Sequence, residues 1–273
     1  MKMLNILELS ESIKNEGYSE EYAEAKLCQD IVLLLISKSK YANNVTIKGG
    51  VVMRSISNNI RRATLDIDFD FIKYSISDSS IERFVENLDG IMGIKLKVLG
   101  SPEELKHQDY EGKRIYLSIE DTFGNRLSSK IDIGVHKYYN ISQEEYCFNM
   151  SFDSEGATLL INSKEQIFTE KLKSILKFGS LSTRYKDVYD IYYLAASVNK
   201  RVLLDTFKTL IFDDNRLKEE NIKDIITRLK ETFENKMYLR GLSSSSKNWV
   251  GQPNEIVLDA IINFISSLQD AIN

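Results

Sequence analysis

The sequence predicts an α+β protein in which an αβ part is followed by a helical part. Up to about residue 163, short β-branched runs alternate with segments of helical period, whereas residues 164–273 show almost only the helical period. Strands followed by a run of helices are typical of an α+β fold or of separate domains. We therefore predict two domains, residues 1–163 and 164–273.

Each element follows from its own pattern. In the αβ part, helices are predicted at about 19–40 with Ser19 as cap, from 49 onward and at 78–88. Strands are predicted at 45–48, 66–71, 94–99, 112–120 and 127–135, the last two as a hairpin around residues 123–125. In the helical part, helices are predicted at about 164–179, 184–198, 200–211, 216–234 and 253–272.

Composition excludes several classes of protein. The chain has 273 residues, 42% hydrophobic and 28% charged, with a formal net charge of −4, which argues against binding nucleic acid through global charge alone. The longest apolar run, residues 31–36, is too short to span a membrane, and the first residues lack the regions of a signal peptide. A cytoplasmic protein without membrane contact is expected.

Cysteines and histidines are scarce. Cys28 and Cys147 lie far apart and fit neither a zinc spacing nor a disulfide framework, so we interpret both as small buried hydrophobes. The chain has only two histidines, His107 and His136, which argues against a histidine metal site or a Ser-His-Asp triad.

The acidic segment is a predicted strand in which Asp66, Asp68 and Asp70 alternate with apolar residues. A period of two places the three carboxylates on one face, about 6–7 Å apart along the strand. Carboxylates lined up in this way repel one another, and a divalent cation relieves the repulsion. Asp66 and Asp68 are therefore predicted metal ligands. An exposed edge strand with acidic residues on its wet side shows the same pattern.

A glycine pair precedes this strand. Gly49 and Gly50 follow the predicted strand 45–48 and open a helix, an arrangement that presents backbone N–H groups to a phosphate. Glycines also serve tight turns through their shape alone. A phosphate cradle followed by carboxylates is what metal-dependent phosphoryl transfer requires, and Asp132 on a neighbouring predicted strand supplies a third carboxylate for two Mg²⁺ ions.

A further polar group lies in the helical part. Lys171 falls on a different face from the apolar stripe of its helix, and Asp187 and Asp190 share a face three residues apart. One interpretation of Lys171 is a cation held over a triphosphate, and the alternative is a solvated lysine. Asp190 is equally compatible with stabilising a helix start, and for Lys173 and Lys177 we favour a solvated helix face.

Taken together, these motifs resemble those of the AbiEii/AbiGii family, nucleotidyltransferase-like toxins of abortive-infection and toxin–antitoxin systems in the polymerase-β-like superfamily. The resemblance covers about residues 43–195, in the runs IKGGVVMRS, RRATLDIDFDF, KIDIGV and FTEKLKSILKFGSLSTRYKDVYDIYYL. It implies a polymerase-β-like nucleotidyltransferase core, a mixed sheet flanked by helices, followed by a C-terminal helical bundle that contributes to the active-site cleft. The family often has a small hydroxyl residue after the glycine pair, where this chain has Val51.

The resemblance also implies residue roles. Asp66, Asp68 and Asp132 are metal ligands, Asp132 also assists deprotonation of the acceptor hydroxyl, Lys171 steadies the triphosphate, and Asp187 orients Lys171 or the base. Lys130 falls with Asp132 in the second strand motif. Asp70 has no counterpart in the motif, and we interpret it as the solvated end of the strand face. Nucleotide binding is assigned to Gly49, Gly50, Arg62, Lys171 and Arg184.

The predicted function is that of a Mg²⁺-dependent nucleotidyltransferase toxin, which transfers NMP from an NTP to an acceptor hydroxyl and releases pyrophosphate. By resemblance, the acceptor is a tRNA 3′ end or another RNA, and a cognate antitoxin is an expected partner. Two alternatives stay open. One is a nucleotide- or protein-binding module without turnover on the same fold, and the other is a transferase that modifies a protein hydroxyl.

Overall fold

The computed structural model describes residues 4–105, 112–138 and 140–269, so that His107 lies outside the described residues. The chain divides into two compact units, residues 1–162 and 163–273. The fold is α+β, as predicted. No helix within the described ranges has both the length and the apolar character needed to cross a membrane.

The first unit, the αβ unit, is built on a mixed sheet. Its strands are β1 (Val45–Lys48), β2 (Ile67–Phe71), β3 (Lys95–Glu104), β4 (Lys113–Glu120), β5 (Arg126–Val135), β6 (Gln143–Phe148) and β7 (Ala157–Asn162). They lie in the order β3-β4-β5-β2-β1-β7-β6. Strand β2 is antiparallel to β1 and parallel to β5, and β4 and β5 form the predicted antiparallel hairpin. The helices are α1 (Ile6–Asn15), α2 (Glu20–Ser37), α3 (Gly49–Ser57) and α4 (Asp78–Leu88).

The alternating side chains of β2 define an apolar and a polar face of the sheet. Ile67, Phe69 and Phe71 are fully buried. The rings of Phe69 and Phe71 pack against Phe84 of α4, with ring centroids 5.8 and 5.1 Å apart. Because side chains alternate along a strand, this apolar packing turns the aspartates of β2 to the opposite face.

The second unit, the helical unit, contains helices around an apolar core. These are α5 (Lys164–Phe178), α6 (Tyr185–Ala195), α7 (Lys200–Phe207), α8 (Ile222–Phe233), α9 (Lys236–Ser244) and α10 (Asn254–Ser266), and a π-helical turn continues α7 over Lys208–Phe212. Core side chains come from all six helices and include Phe168, Tyr189, Phe207, Leu229, Tyr238 and Ile261, all essentially without exposed surface.

Some element boundaries differ from the predicted ones. The helix predicted at 216–234 begins only at Ile222, because the Asn221 side chain accepts a hydrogen bond from the Asp224 N–H (3.1 Å) and caps it there. Ser19 stands at the N-cap of α2, although its side chain makes no capping hydrogen bond. The elements α1, β6, β7 and α9 were not predicted.

The two cysteines differ in environment, which corrects the prediction that both are buried. Cys28 in α2 is buried, and burial raises the pKa of its thiol to about 12, whereas Cys147 in β6 is exposed. Because the thiolate is the reactive form, we expect iodoacetamide at about pH 8 to alkylate Cys147 alone in the native protein and both cysteines after denaturation. Mass spectrometry of the alkylated protein measures this, and equal native labelling of both sites would contradict it.

Candidate active site

Four charged side chains form a row across the polar face of the sheet. Asp68 of β2 and Asp132 of β5 are register partners on parallel strands. On either side, Lys48 of β1 pairs in register with Asp68, and Arg114 of β4 pairs with Asp132. Register partners project from the same face, so these residues form one line, which we call the charged row: Lys48, Asp68, Asp132 and Arg114.

The other two aspartates of the acidic segment lie in different environments. Asp66 precedes β2, its side chain is 45% exposed, and its carboxylate lies 2.7 Å from Lys130 Nζ. Asp70 is buried, and its carboxylate lies 2.6 Å from Lys48 Nζ. Asp70 is therefore not the solvated end of the strand face, as the sequence interpretation had it. Its negative charge is balanced by the lysine that ends β1.

The glycine pair contacts the acidic segment directly. Gly49 and Gly50 are the first residues of α3, and Gly49 has a φ of +68°. A Cβ on Gly49 would lie 2.6 Å from Asp68 Oδ2, and one on Gly50 would meet the Thr64 hydroxyl. Only glycine permits both the left-handed backbone and this close approach. The structure thus brings a helix N-terminus and a predicted metal ligand together within the αβ unit.

Gly49→Ala tests this approach. We expect a loss of about 2–4 kcal/mol in the free energy of unfolding, because the substitution combines a strained backbone with a collision against the Asp68 carboxylate. Gly100→Ala is the matched control, since Gly100 has a φ of +73° but open space at its Cβ, so that only the backbone strain acts. Urea denaturation of both variants measures the difference. Equal losses would show that the Asp68 contact costs nothing.

Arg62, the remaining predicted nucleotide-binding residue of this unit, ends the short 3₁₀ turn Ile60–Arg62 and is buried. The turn is linked to α2 a few residues later, where the fully buried Gln29 donates from Nε2 to the Thr64 carbonyl (2.8 Å). Gln29, which sequence reasoning missed, therefore fixes the backbone that leads into Asp66.

The carboxylates suit Mg²⁺ chemically, but the protein's own cations contact two of them. Hard carboxylate oxygens are the ligands that Mg²⁺ takes, and Asp68 lies at the glycine turn as a metal beside a phosphate would require. Asp132, in contrast, accepts from Arg114 through both oxygens (2.7 and 2.8 Å). Among the described residues, no group of three or more His, Cys, Asp or Glu side chains is arranged to hold a metal ion. Asp68 therefore fits the ion, and Asp66 and Asp132 fit it only after Lys130 and Arg114 have left them.

In the helical unit, Lys171 is held between two carboxylates of α6. Its Nζ lies 2.8 Å from Asp187 Oδ1 and 2.7 Å from Asp190 Oδ2. Asp190 is fully buried and also accepts from the indole Nε1 of Trp249 (3.0 Å). Arg184 Nε lies 3.4 Å from Asp187 Oδ2 on the exposed side of the cluster. Lys171 therefore has a fixed position and is not a solvated lysine.

Two of these residues extend the predicted set. Asp190 shares a helix face with Asp187, and this spacing was the signal that pointed to it. Trp249, the single tryptophan of the chain, gave no signal, because its contact with α6 joins residues 59 positions apart.

The two other lysines of α5 differ from each other. Lys173 is mostly buried and forms an ion pair with Asp214, which corrects the prediction of a solvated face for Lys173. Hydrogen bonds from Arg216 and, next, from Lys173 hold the pKa of Asp214 well below its usual range. Lys177 is exposed. The cation of Lys173 is thus neutralised within the helical unit.

Comparison with known proteins gives a family match over most of the chain. A sequence profile described as the nucleotidyl transferase AbiEii toxin of a type IV toxin–antitoxin system matches residues 31–254. Among solved structures, an antigenic nucleotidyltransferase-like protein from Paracoccidioides brasiliensis is similar, with 13% identity and a TM-score of 0.43. That alignment covers 78% of this chain and 97% of the other. No curated protein matches the chain.

Proposed function

We propose a reaction and its residues from one premise: the chain belongs to the AbiEii family of nucleotidyltransferase toxins of type IV toxin–antitoxin systems. The chain is accordingly a nucleotidyltransferase. The proposed reaction is transfer of NMP from an NTP to an acceptor hydroxyl with release of pyrophosphate. The observation that carries the proposal is the contact of the Asp68 carboxylate with the Gly49 turn, in register with Asp132.

In the αβ unit, the N–H groups at the start of α3, at Gly49 and Gly50, bind the triphosphate, helped by the helix dipole. Asp66, once released by Lys130, and Asp68 would hold Mg²⁺, which would supply positive charge to neutralise the phosphates and the leaving pyrophosphate. Asp132, once released by Arg114, accepts the proton of the acceptor hydroxyl. The acceptor oxygen then bonds to the α-phosphorus, and the bond from that phosphorus to the bridging oxygen breaks.

We also propose functional roles for residues of the helical unit. Lys171 supplies a fixed positive charge for phosphate, because Asp187 and Asp190 hold its Nζ in place. Arg184, whose side chain is 66% exposed, is a second phosphate-binding cation. Arg62 of the αβ unit is retained as a nucleotide-binding residue. Each of these roles rests on the family motif and on the local contacts of the residue.

The proposed acceptor is an RNA, with a tRNA 3′ end as the first candidate, and the proposed partner is a cognate antitoxin. Arg184, an exposed cation of the helical unit, supports an RNA acceptor in spite of the net charge of −4. Proteins carry acceptor hydroxyls as well, so that a protein acceptor is the second candidate.

The labelling experiment tests reaction and acceptor together. The protein is incubated with each α-labelled NTP, Mg²⁺ and either total tRNA or total protein. We expect label in the RNA with the unmodified chain and with Asp78→Asn, a control that changes an exposed aspartate at the start of α4, where it is ion-paired with Lys113, which is not one of the predicted site residues. We expect none with the double variant Asp66→Asn/Asp68→Asn. Label in protein only would replace the RNA acceptor by a protein one, and the absence of label everywhere would favour a binding module.

A further inference from the structure

We propose that Arg114 and Lys130 are resident counter-ions of the metal site: they prevent the carboxylates from retaining a free divalent cation and admit it only together with a nucleoside triphosphate. This inference rests on the proposed function, since it concerns the same carboxylates. It goes beyond that function because it sets the order of binding and gives two residues a task in it.

Arg114 occupies the position that a metal would need on Asp132. Its Nε donates to Oδ1 and its Nη2 to Oδ2, at 2.7 and 2.8 Å, so that both carboxylate oxygens are engaged by one planar fork. Bidentate arginine–carboxylate pairs are among the stronger ion pairs. The Arg114 side chain is 30% exposed, so the guanidinium can rotate toward solvent without disturbing the core.

Lys130 plays the corresponding part for Asp66. Its Nζ lies 2.7 Å from Asp66 Oδ1, and its side chain is 32% exposed. Lys130 and Asp132 are two residues apart on β5 and therefore project from the same face. The two ion pairs thus form one cluster.

The resident cations lower the affinity of the cluster for a free divalent ion. Asp66, Asp70 and Asp132 are each ion-paired, with Lys130, Lys48 and Arg114 respectively. Affinity for a divalent cation depends on the number of negative ligands, and each ion-paired lysine or arginine offsets one of them, so these carboxylates hold the free ion weakly.

A nucleoside triphosphate changes this balance. The triphosphate carries several negative charges. Its oxygens accept hydrogen bonds from the Arg114 guanidinium and the Lys130 ammonium, which thereby leave Asp132 and Asp66. The carboxylates are then available to the divalent cation that accompanies the nucleotide. The two cations are therefore exchanged between carboxylate and phosphate.

Titration with Mn²⁺ alone, followed by the EPR signal of the free ion, tests the first half of the proposal. We expect Arg114→Gln and Lys130→Gln each to bind Mn²⁺ about tenfold more tightly than the unmodified protein, because each loses a cation next to the site. Arg114→Lys should stay near the unmodified value, since it keeps the charge. Arg126→Gln is the matched control: Arg126 also bridges β4 and β5, through Glu120 (2.5 Å), but is 71% exposed.

The second half of the proposal predicts that the same substitution weakens the binding of the nucleotide. With Mn²⁺ present, we expect Arg114→Gln to bind a fluorescent NTP analogue about tenfold more weakly, since a phosphate-binding cation is lost. If Arg114 had only a structural role, Arg114→Gln would weaken the binding of both Mn²⁺ and the NTP analogue. Lys130→Gln, at a half-exposed site, serves if Arg114→Gln does not fold.

Tight Mn²⁺ binding by the unmodified protein without nucleotide, or no gain in either glutamine variant, would overturn the proposal while leaving the labelling result intact. If no label is incorporated but the variants bind Mn²⁺ more tightly and the NTP analogue more weakly, the proposed reaction is wrong and the counter-ion role stands. Absence of both metal and nucleotide binding would overturn both.

Discussion

Asp66→Asn/Asp68→Asn is expected to abolish nucleotidyl transfer, with a loss of about 10³-fold or more in rate. Asparagine keeps the size of the side chain and removes both negative charges that are proposed to hold the divalent cation. Asp66 lies outside β2 with an exposed side chain, and Asp68 projects from the polar face, so neither change removes apolar packing. The free energy of unfolding should therefore change far less than the rate.

The initial rate of label incorporation measures this effect, and arrest of growth on expression provides the cellular counterpart. We expect the double variant to permit growth where the unmodified chain and Asp78→Asn arrest it. Asp70→Asn is a useful contrast, because Asp70 balances the buried Lys48 and its loss should reduce stability. Growth arrest by the double variant at the unmodified level would rule out the assigned role of the two aspartates.

Asp190→Ala is expected to lower the free energy of unfolding of the helical unit by about 3–5 kcal/mol. Asp190 is fully buried and contacts both the Lys171 ammonium and the Trp249 indole N–H, so its removal leaves one buried cation short of a partner and one buried donor unpaired. Activity should fall as well, because Lys171 loses one of the two carboxylates that fix its Nζ.

Urea denaturation followed by tryptophan fluorescence measures the stability, since the single Trp249 lies at the altered site. Asp205→Ala is the control, because Asp205 is an exposed aspartate of α7, and a change within about 0.5 kcal/mol is expected there. The pair Asp190→Leu/Lys171→Met should recover part of the stability without recovering activity, since both charges are removed together. A loss for Asp190→Ala no larger than that of the control would contradict the assigned burial cost.

Much of the fold was predictable because local pattern and tertiary packing agree. Helix α4 was predicted at its observed bounds, since its apolar residues recur on one face. Helix α9 was missed because Tyr238 and Leu242 are its only buried residues and Met237 is 79% exposed. Its stability comes from tertiary contacts, such as the stacking of Tyr238 on Phe233. Strand β6 was missed because it lies at the edge of the sheet, beside β7, and exposes Glu144 and Glu145.

The candidate site was predictable in its acidic residues and not in their partners. The alternating pattern correctly placed Asp68 and Asp70 on one face. It gave no information on the burial of Asp70, which is possible because Lys48, more than twenty positions away, balances its charge. Arg114 escaped notice for the same reason, since its contact with Asp132 depends on the register of the β4–β5 hairpin. Ion pairs across strands and helices depend on which elements lie side by side, and a single sequence does not show this.

The charged row also makes the length of its strands important. Its members meet only because four strands keep their register, and a one-residue slip turns every side chain of a strand to the other face. One extra residue within β5, between Arg126 and Asp132, would present an apolar neighbour where the aspartate now stands. We therefore expect a one-residue insertion in this strand to disrupt the charged row as fully as replacement of Asp132 itself.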